Sequence, residues 1–389
     1  MRRLVAILVL VTLAACGGAR DVAVLQEDTA EPPAFHFVSD RVIEDAGADA
    51  RRFTVRRNPA MRFGVADIDT GDAPRLRAAR ETVVFPSTPL PFSVQGGQPV
   101  TEPQAARAQA RAEAAMRDAL ARALRDSGRR DILFYVHGFN SRFDDTMETL
   151  ARLWEATEAT TVPVAFSWPA GNPGAFAYFK DRESGEFSIF HLKQTLRVLA
   201  SVPGLRRIHV VAHSRGSQVV TTALREMVIA ERAAGRDPRA SLKVDNLILA
   251  APDLDFSIAR QRLIAERFGP AFGRITVYIN PGDSALGLAQ VLLAGVRFGR
   301  ISFGQLGASE REIFKSIRNV HFINVSGVVG GSSHNYFKQN PEVLHDMAEV
   351  IVSGAEPGNP ARNLDPDEGN FWRLVQERAT VDLDAGPDR

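Results

Sequence analysis

A single cysteine, Cys16, serves all 389 residues. One thiol near the start of the chain excludes a disulfide framework, a cysteine-ligated metal site and a cysteine nucleophile in the body of the protein. An excess of charge of either sign is also missing, since 47 Lys and Arg face 46 Asp and Glu, and loss of a leader carrying Arg2 and Arg3 would leave 45 against 46. No basic face is implied, so nucleic acid is not an expected partner. Neither a P-loop, nor H-E-x-x-H, nor G-x-G-x-x-G occurs, and no metal or nucleotide cofactor is expected. Long hydrophobic runs are absent too: the apolar stretch from Leu4 to Leu13 has the length of a signal-peptide core and is too short to cross a bilayer.

What is present supports one large α/β core. With 45% hydrophobic residues, the chain can bury a body of about 250 to 300 residues plus flanking segments. The leader, 1–16, ends in Leu-Ala-Ala-Cys and resembles a bacterial lipobox, in which Cys16 is acylated and becomes the new N-terminus. The position of the lone cysteine directly after Leu13-Ala14-Ala15 favours lipidation over ordinary secretion with cleavage at a small residue. Acyl chains contribute about 0.8 kcal/mol per buried CH₂, which makes such an anchor to the membrane effectively permanent. Gly17 stands where some lipoproteins carry a retention aspartate, so the resemblance implies the cell envelope, at the outer membrane facing the periplasm. Residues 17–60 read as a tether that becomes ordered near Phe53, 61–354 as the folded body, and 355–389 as an acidic tail with Phe371 and Trp372 as a docking point.

Within the body, Met61–Ile68 and Thr82–Phe85 are strand candidates. Thr101–Arg125 reads as a helix, with Thr101 and Gln104 as a capping box. From Asp131 onward, apolar runs alternate with helical periodicity, the pattern of βαβ units and a mostly parallel sheet with helices on both faces. Strands are expected at Ile132–Val136, Val164–Trp168, Ile208–Ala212, Leu247–Ala251, Ile275–Asn280 and Val320–Val325. Helices are expected near Asp144–Thr157, Ser188–Leu199, Arg215–Ala230 and Pro341–Ile351. Two inserts, Ala170–Glu186 and Gly295–Ser316, leave the sheet where such folds bind ligands, and each reads as a lid, an acyl-binding wall or a structural loop.

The chemistry centres on R-I-H-V-V-A-H-S-R-G-S, Arg207 to Ser217. A buried strand runs into a crowded turn and then a helix, which lifts the Ser214 hydroxyl above the sheet and directs backbone N–H groups beside it. Ala212 and Gly216 are small because the chain doubles back on itself there. This elbow resembles the α/β-hydrolase superfamily when taken with F-Y-V-H-G-F-N (Phe134 to Asn140). With F-S-W-P (Phe166 to Pro169), A-A-P-D (Ala250 to Asp253) and H-N-Y-F (His334 to Phe337) it resembles, more narrowly, a bacterial branch known as domain of unknown function 900. The superfamily's first elbow glycine is replaced by Ala212.

The resemblance implies the order nucleophile, acid, histidine along the chain. Of the eight histidines, His36, His137, His191, His209 and His213 precede the acid, His321 lies in a predicted strand and His345 in a predicted helix. His334, on the loop after the last strand, remains as the base. Asp283, beyond the Ile275–Asn280 strand, is favoured as the acid because its strand precedes the one that delivers His334. Asp253 and Asp255 are its rivals. The oxyanion donors are expected to be the backbone N–H groups of Arg215 and Phe139, with Gly138 allowing close approach and His137 holding the turn. The Arg215 side chain reaches solvent, pairs with a carboxylate or favours substrates with an anionic group. These residues imply a membrane-anchored serine hydrolase, carboxylesterase- or lipase-like, acting on an ester or thioester of a small molecule or lipid. The alternatives are an envelope acyltransferase on the same residues and a non-catalytic envelope binding or scaffold protein.

Overall fold

Successive side chains of the central strands alternate between two apolar layers. In Asp131–Val136, residues Ile132, Phe134 and Val136 enter one layer, and Leu133 and Tyr135 enter the other. A strand covered on both faces reads as a continuous apolar run, which is why these segments are visible in the sequence. The computed structural model describes residues 19–25, 34–47, 49–293, 295–329 and 333–376. The expected leader and Cys16 lie outside them, as do the loop glycines 330 and 331.

The described strands are β1 (Asp21–Val24), β2 (Phe35–Asp45), β3 (Ala50–Asp69), β4 (Arg75–Val84), β5 (Phe92–Gln95), β6 (Gln98–Thr101), β7 (Asp131–Val136), β8 (Val162–Ser167), β9 (Arg207–His213), β10 (Val244–Ala250), β11 (Arg274–Ile279), β12 (Val320–Asn324), β13 (Leu364–Pro366) and β14 (Phe371–Leu374). Twelve of them form one sheet in the order β1-β4-β3-β2-β8-β7-β9-β10-β11-β12-β14-β13. Pairing is parallel from β2 to β14 and antiparallel at β2–β3, β3–β4 and β13–β14. The helices are α1 (Pro103–Ser127), α2 (Phe143–Ala156), α3 (Ala177–Ala200), α4 (Arg215–Ala233), α5 (Pro238–Leu242), α6 (Phe256–Ala259), α7 (Ser284–Leu293), α8 (Ala308–Ser316), α9 (Ser326–Val329) and α10 (Pro341–Val352). Side chains of α1, α3 and α4 join the first layer, and those of α2 and α10 join the second. This is the α/β-hydrolase architecture expected from the sequence. Among the described residues no helix is long and apolar enough to cross a membrane.

The N-terminal boundary differs from expectation. Much of 17–60 is sheet rather than tether: β2 lies between β3 and β8, and its Phe35, Phe37 and Val38 are fully buried. The strand escapes a pattern search because Asp40 and Arg41, both at 0% exposure, interrupt its apolar alternation with charge. Likewise β3 is a 20-residue strand, whose arginines mask all but its Met61–Ile68 half. The tail differs in the same way, since β14 extends the sheet beside β12 and Arg362 is buried. Helix α1 begins at Pro103 with Glu102 as its N-cap and no side-chain cap bond, so the Thr101–Gln104 box does not form. The Ala170–Glu186 insert contains the first turns of α3. The Gly295–Ser316 insert sends Phe298, Phe303 and Phe314 into the first apolar layer, which makes it part of the body.

Candidate active site

Strand β9 ends at His213 and α4 begins at Arg215, leaving one residue to turn the chain. Ser214 takes φ 50° and ψ −121°, a region costly for any residue with a Cβ and sustained only when the surroundings over-determine it. They do so here. The Ser214 N–H donates to Ala250 O at 2.9 Å, and its carbonyl accepts from Ser217 N at 3.0 Å and Asp253 N at 3.1 Å. Glycine is required at two neighbouring positions. A Cβ on Gly216 would collide with the His137 carbonyl, and one on Gly138 would sit 2.8 Å from Ser214 Cβ.

Three distant side chains meet over this turn. The Ser214 hydroxyl donates to His334 Nε2 at 3.0 Å, and His334 Nδ1–H donates to Asp283 Oδ2 at 2.6 Å. An ionised carboxylate only accepts, so its contact places the ring proton on Nδ1 and leaves Nε2 free to take the serine proton. Asp283 is fully buried, whereas the His334 side chain is 18% exposed. The other Asp283 oxygen accepts from Leu286 N at 2.9 Å, so the same carboxylate caps α7.

The histidine loop is held by residues that the sequence reading left without a role. Asn280 Nδ2 donates to Ser333 O at 2.9 Å. The Tyr336 hydroxyl donates to Tyr278 O at 2.9 Å and accepts from Ala251 N at 3.0 Å. Phe337 stacks on the His213 ring at 4.3 Å. Burial, with the nearby His334 adding to it, holds the His213 imidazole well below the ordinary histidine range, so it stays neutral beside Ser214 and His334.

The rival acids are engaged elsewhere. Asp253 Oδ2 lies 2.9 Å from Arg215 Nη2 and accepts from the Tyr178 hydroxyl at 2.6 Å, while Arg297 Nη1 stands 3.6 Å from Oδ1. Burial and the Asp253 charge push the Tyr178 phenol upward. Asp255 caps α6 through Ile258 N at 3.0 Å. Neither carboxylate reaches His334, so both are set aside as the acid. The Arg215 guanidinium also contacts the Tyr178 hydroxyl and Gln218. That commitment to Asp253 fits the carboxylate-pairing alternative and weighs against a charge held ready for anionic substrates.

As the first residue of α4, Arg215 has an amide with no acceptor inside its own helix. The turn containing Phe139 approaches from β7. His137 at its start is buried, stacks on Trp168 at 5.0 Å and 5°, and accepts from Trp168 Nε1 at its carbonyl at 2.8 Å. Burial drives the His137 pKa well below the ordinary range, with Arg41 adding to the effect. Arg41 and Asp181, which also bind this turn, carried no signal in the sequence. Beside Arg215 opens a cavity of about 420 Å³, lined by apolar Leu254, Ile258 and Leu263 together with Arg182 and Thr222.

A family model agrees with this architecture. A family described as "Alpha/beta hydrolase of unknown function (DUF900)" matches residues 112–353. No curated protein matches the chain. Among solved structures, a predicted CIB-like hydrolase from Thermoplasma acidophilum aligns at 15% identity and TM-score 0.34, covering 59% of this chain and 87% of that one. An esterase from Pyrobaculum calidifontis aligns at 12% identity and TM-score 0.30, covering 58% and 77%. EstE1, a thermostable carboxylesterase from a metagenomic library, aligns at 13% identity and TM-score 0.30, covering 59% and 81%.

Proposed function

Since the chain belongs to a family of α/β-hydrolases of unknown function, we propose that it is a serine hydrolase that cleaves an ester or thioester through an acyl-enzyme on Ser214. The observation that carries this reading is the unbroken hydrogen-bond chain from Ser214 through His334 to Asp283, at 3.0 and 2.6 Å, on a strained strand-to-helix turn. Ser214 Oγ attacks the acyl carbon while His334 Nε2 takes its proton. Asp283 stabilises the resulting imidazolium and fixes the ring. The amides of Phe139 and Arg215 receive the negative oxygen of the tetrahedral intermediate. His334 then returns the proton to the departing alkoxide or thiolate, and a water deprotonated by the same ring releases the acid. The mixed apolar and arginine lining of the cavity beside Arg215 suits an acyl or alcohol portion of moderate size.

Ser214→Ala tests the reading. It is expected to lower turnover of a p-nitrophenyl ester by about 10⁴-fold or more and to abolish labelling by a fluorophosphonate, with the melting temperature preserved. Wild-type turnover in that variant would dismiss the nucleophile. We further propose that acylated Cys16 tethers the enzyme to the cell envelope at the outer membrane. Metabolic incorporation of an alkynyl fatty acid is expected in the full chain and is expected to vanish in Cys16→Ser; equal labelling of the two would rule the tether out.

A further inference from the structure

The turn that carries Phe139 is held by a residue well outside the family-matched segment 112–353. Arg41, on β2, is fully buried, and each of its five N–H groups has an acceptor. Nε donates to Ser167 Oγ at 3.0 Å, and Nη1 donates to Thr54 O at 3.3 Å and Ala170 O at 2.9 Å. Nη2 donates to Ser141 O at 2.8 Å and faces His137 Nε2 at 3.5 Å. All five acceptors are neutral. Burial lowers the guanidinium pKa to about 10, against the raising effect of Asp181, Asp40, Asp144 and Asp145, so the group is still charged at neutral pH.

A guanidinium has no acceptor to offer, so the imidazole nitrogen facing it must be the unprotonated one. The His137 proton therefore sits on Nδ1, and Nδ1–H donates to Gly138 O at 2.9 Å. The Gly138 carbonyl and the Phe139 N–H belong to one planar trans peptide and point in opposite directions. Holding the carbonyl consequently fixes the direction of the N–H. From the far side, Asp181 on α3 accepts from Asn140 N at 3.1 Å and Gly171 N at 2.9 Å, which anchors the next residue of the turn at φ 55°.

We propose that Arg41 is a positioning residue for the oxyanion site: through His137 it sets the orientation of the Gly138–Phe139 peptide and so presents the Phe139 N–H to the developing oxyanion. The inference rests on the serine-hydrolase reading, and it makes the N-terminal strand β2 part of the active machinery. Lysine could keep the charge but not the five-point geometry.

The test compares wild type with Arg41→Met, Arg41→Lys and His137→Phe, the last preserving the ring stack on Trp168 while removing Nδ1–H. The readouts are kcat and KM for a p-nitrophenyl ester, the inhibition constant of an alkyl boronic acid that forms a tetrahedral adduct on serine, and the melting temperature. Loss of one oxyanion donor typically costs 10²- to 10³-fold in kcat. The expected result is a fall of about that size in kcat for Arg41→Met and His137→Phe. KM should stay within about threefold, boronate affinity should weaken by a similar factor, and Arg41→Lys should fail to restore the rate. A merely structural role would lower the melting temperature without this split between kcat and KM. Should Arg41→Met fail to fold, His137→Phe decides, because it breaks the same relay without burying or removing a charge. Wild-type kcat and boronate affinity in folded His137→Phe would overturn the inference while leaving the hydrolase reading intact. A wild-type protein inert to both fluorophosphonate and ester would remove the reading and the inference together.

Discussion

At the residue scale, the proposed mechanism gives Asp283 and Asp253 two different tasks that a sequence leaves interchangeable: one bonds His334 and the other pairs with Arg215. Asp283→Asn keeps an oxygen to cap α7 but can no longer accept the Nδ1 proton as a carboxylate. It is therefore expected to lose roughly 10⁴-fold in kcat with its melting temperature nearly unchanged. Asp253→Ala instead leaves the buried Arg215 guanidinium without its carboxylate. Breaking one side of such a pair costs about 3–5 kcal/mol, so for a chain of this length a fall in melting temperature of roughly 4–7 °C is expected, read by calorimetry alongside steady-state turnover. The opposite pattern, with rate lost at 253 and stability at 283, would reverse the assignment of the acid. That Ser214, Asp283 and His334 come together was legible because chain order and position at strand ends restrict them. Arg41, Asp181 and Asn280 were not, because a charged or polar residue beside a strand reads equally well as solvated surface. Their roles depend on hydrogen-bond partners far away in sequence: Ser167 lies 126 residues from Arg41, and Asn140, which donates to Asp181, lies 41 residues before it.

At the element scale, the outermost strands show how charge hides structure. The tail after α10 returns to the sheet through Arg362, which is fully exposed to protein and not to water. Its Nε and Nη2 donate to the two oxygens of Asp346 at 2.8 and 2.9 Å, and the Tyr278 hydroxyl donates to Asp346 Oδ2 at 2.6 Å. One bidentate pair thus joins the tail to α10, with β11 bonded to the same carboxylate. Arg362→Ala would leave Asp346 buried with, among the described residues, only Tyr278 as a hydrogen-bond partner, and a loss of about 3–5 kcal/mol is expected. Urea denaturation followed by tryptophan fluorescence measures it; a midpoint equal to wild type would show that the tail is not anchored by this pair. The central strands β7 to β12 were legible as apolar runs because both faces are covered by helices. Strand β2 and the half of β3 before Met61 were not, since charged residues interrupt their apolar alternation, and buried ones such as Arg41 find bonding groups only once the sheet has assembled. The acidic composition of the tail likewise concealed β14 as a strand, although Phe371, expected as a docking point, does stack on Phe322 at 4.4 Å.

At the scale of the whole molecule, buried neutral histidines make stability depend on pH. His36 packs its ring on Phe63 at 5.6 Å, and among the described residues neither of its nitrogens has a hydrogen-bond partner. Burial lowers its pKa from 6.5 to about 4, and His321 is lowered to about 4 by burial as well. Below pH 6.5 the unfolded chain takes up protons that the folded chain refuses until about pH 4. The unfolded state therefore binds more protons across that interval, and folding stability falls as the pH falls. For His36 the loss approaches about 3 kcal/mol by pH 4, at roughly 1.4 kcal/mol for each unit of pKa difference. The buried His137 and His213 are lowered in the same direction, so acid weakens the protein at the centre of the sheet and beside Ser214 alike. His36→Leu removes one such group while keeping an apolar side chain against Phe63. Between pH 7.5 and 4.5 the melting temperature of this variant is expected to fall less than that of wild type. Parallel declines in the two proteins would mean that the His36 ring is protonated in the fold, and the source of acid sensitivity would then have to be sought among the carboxylates.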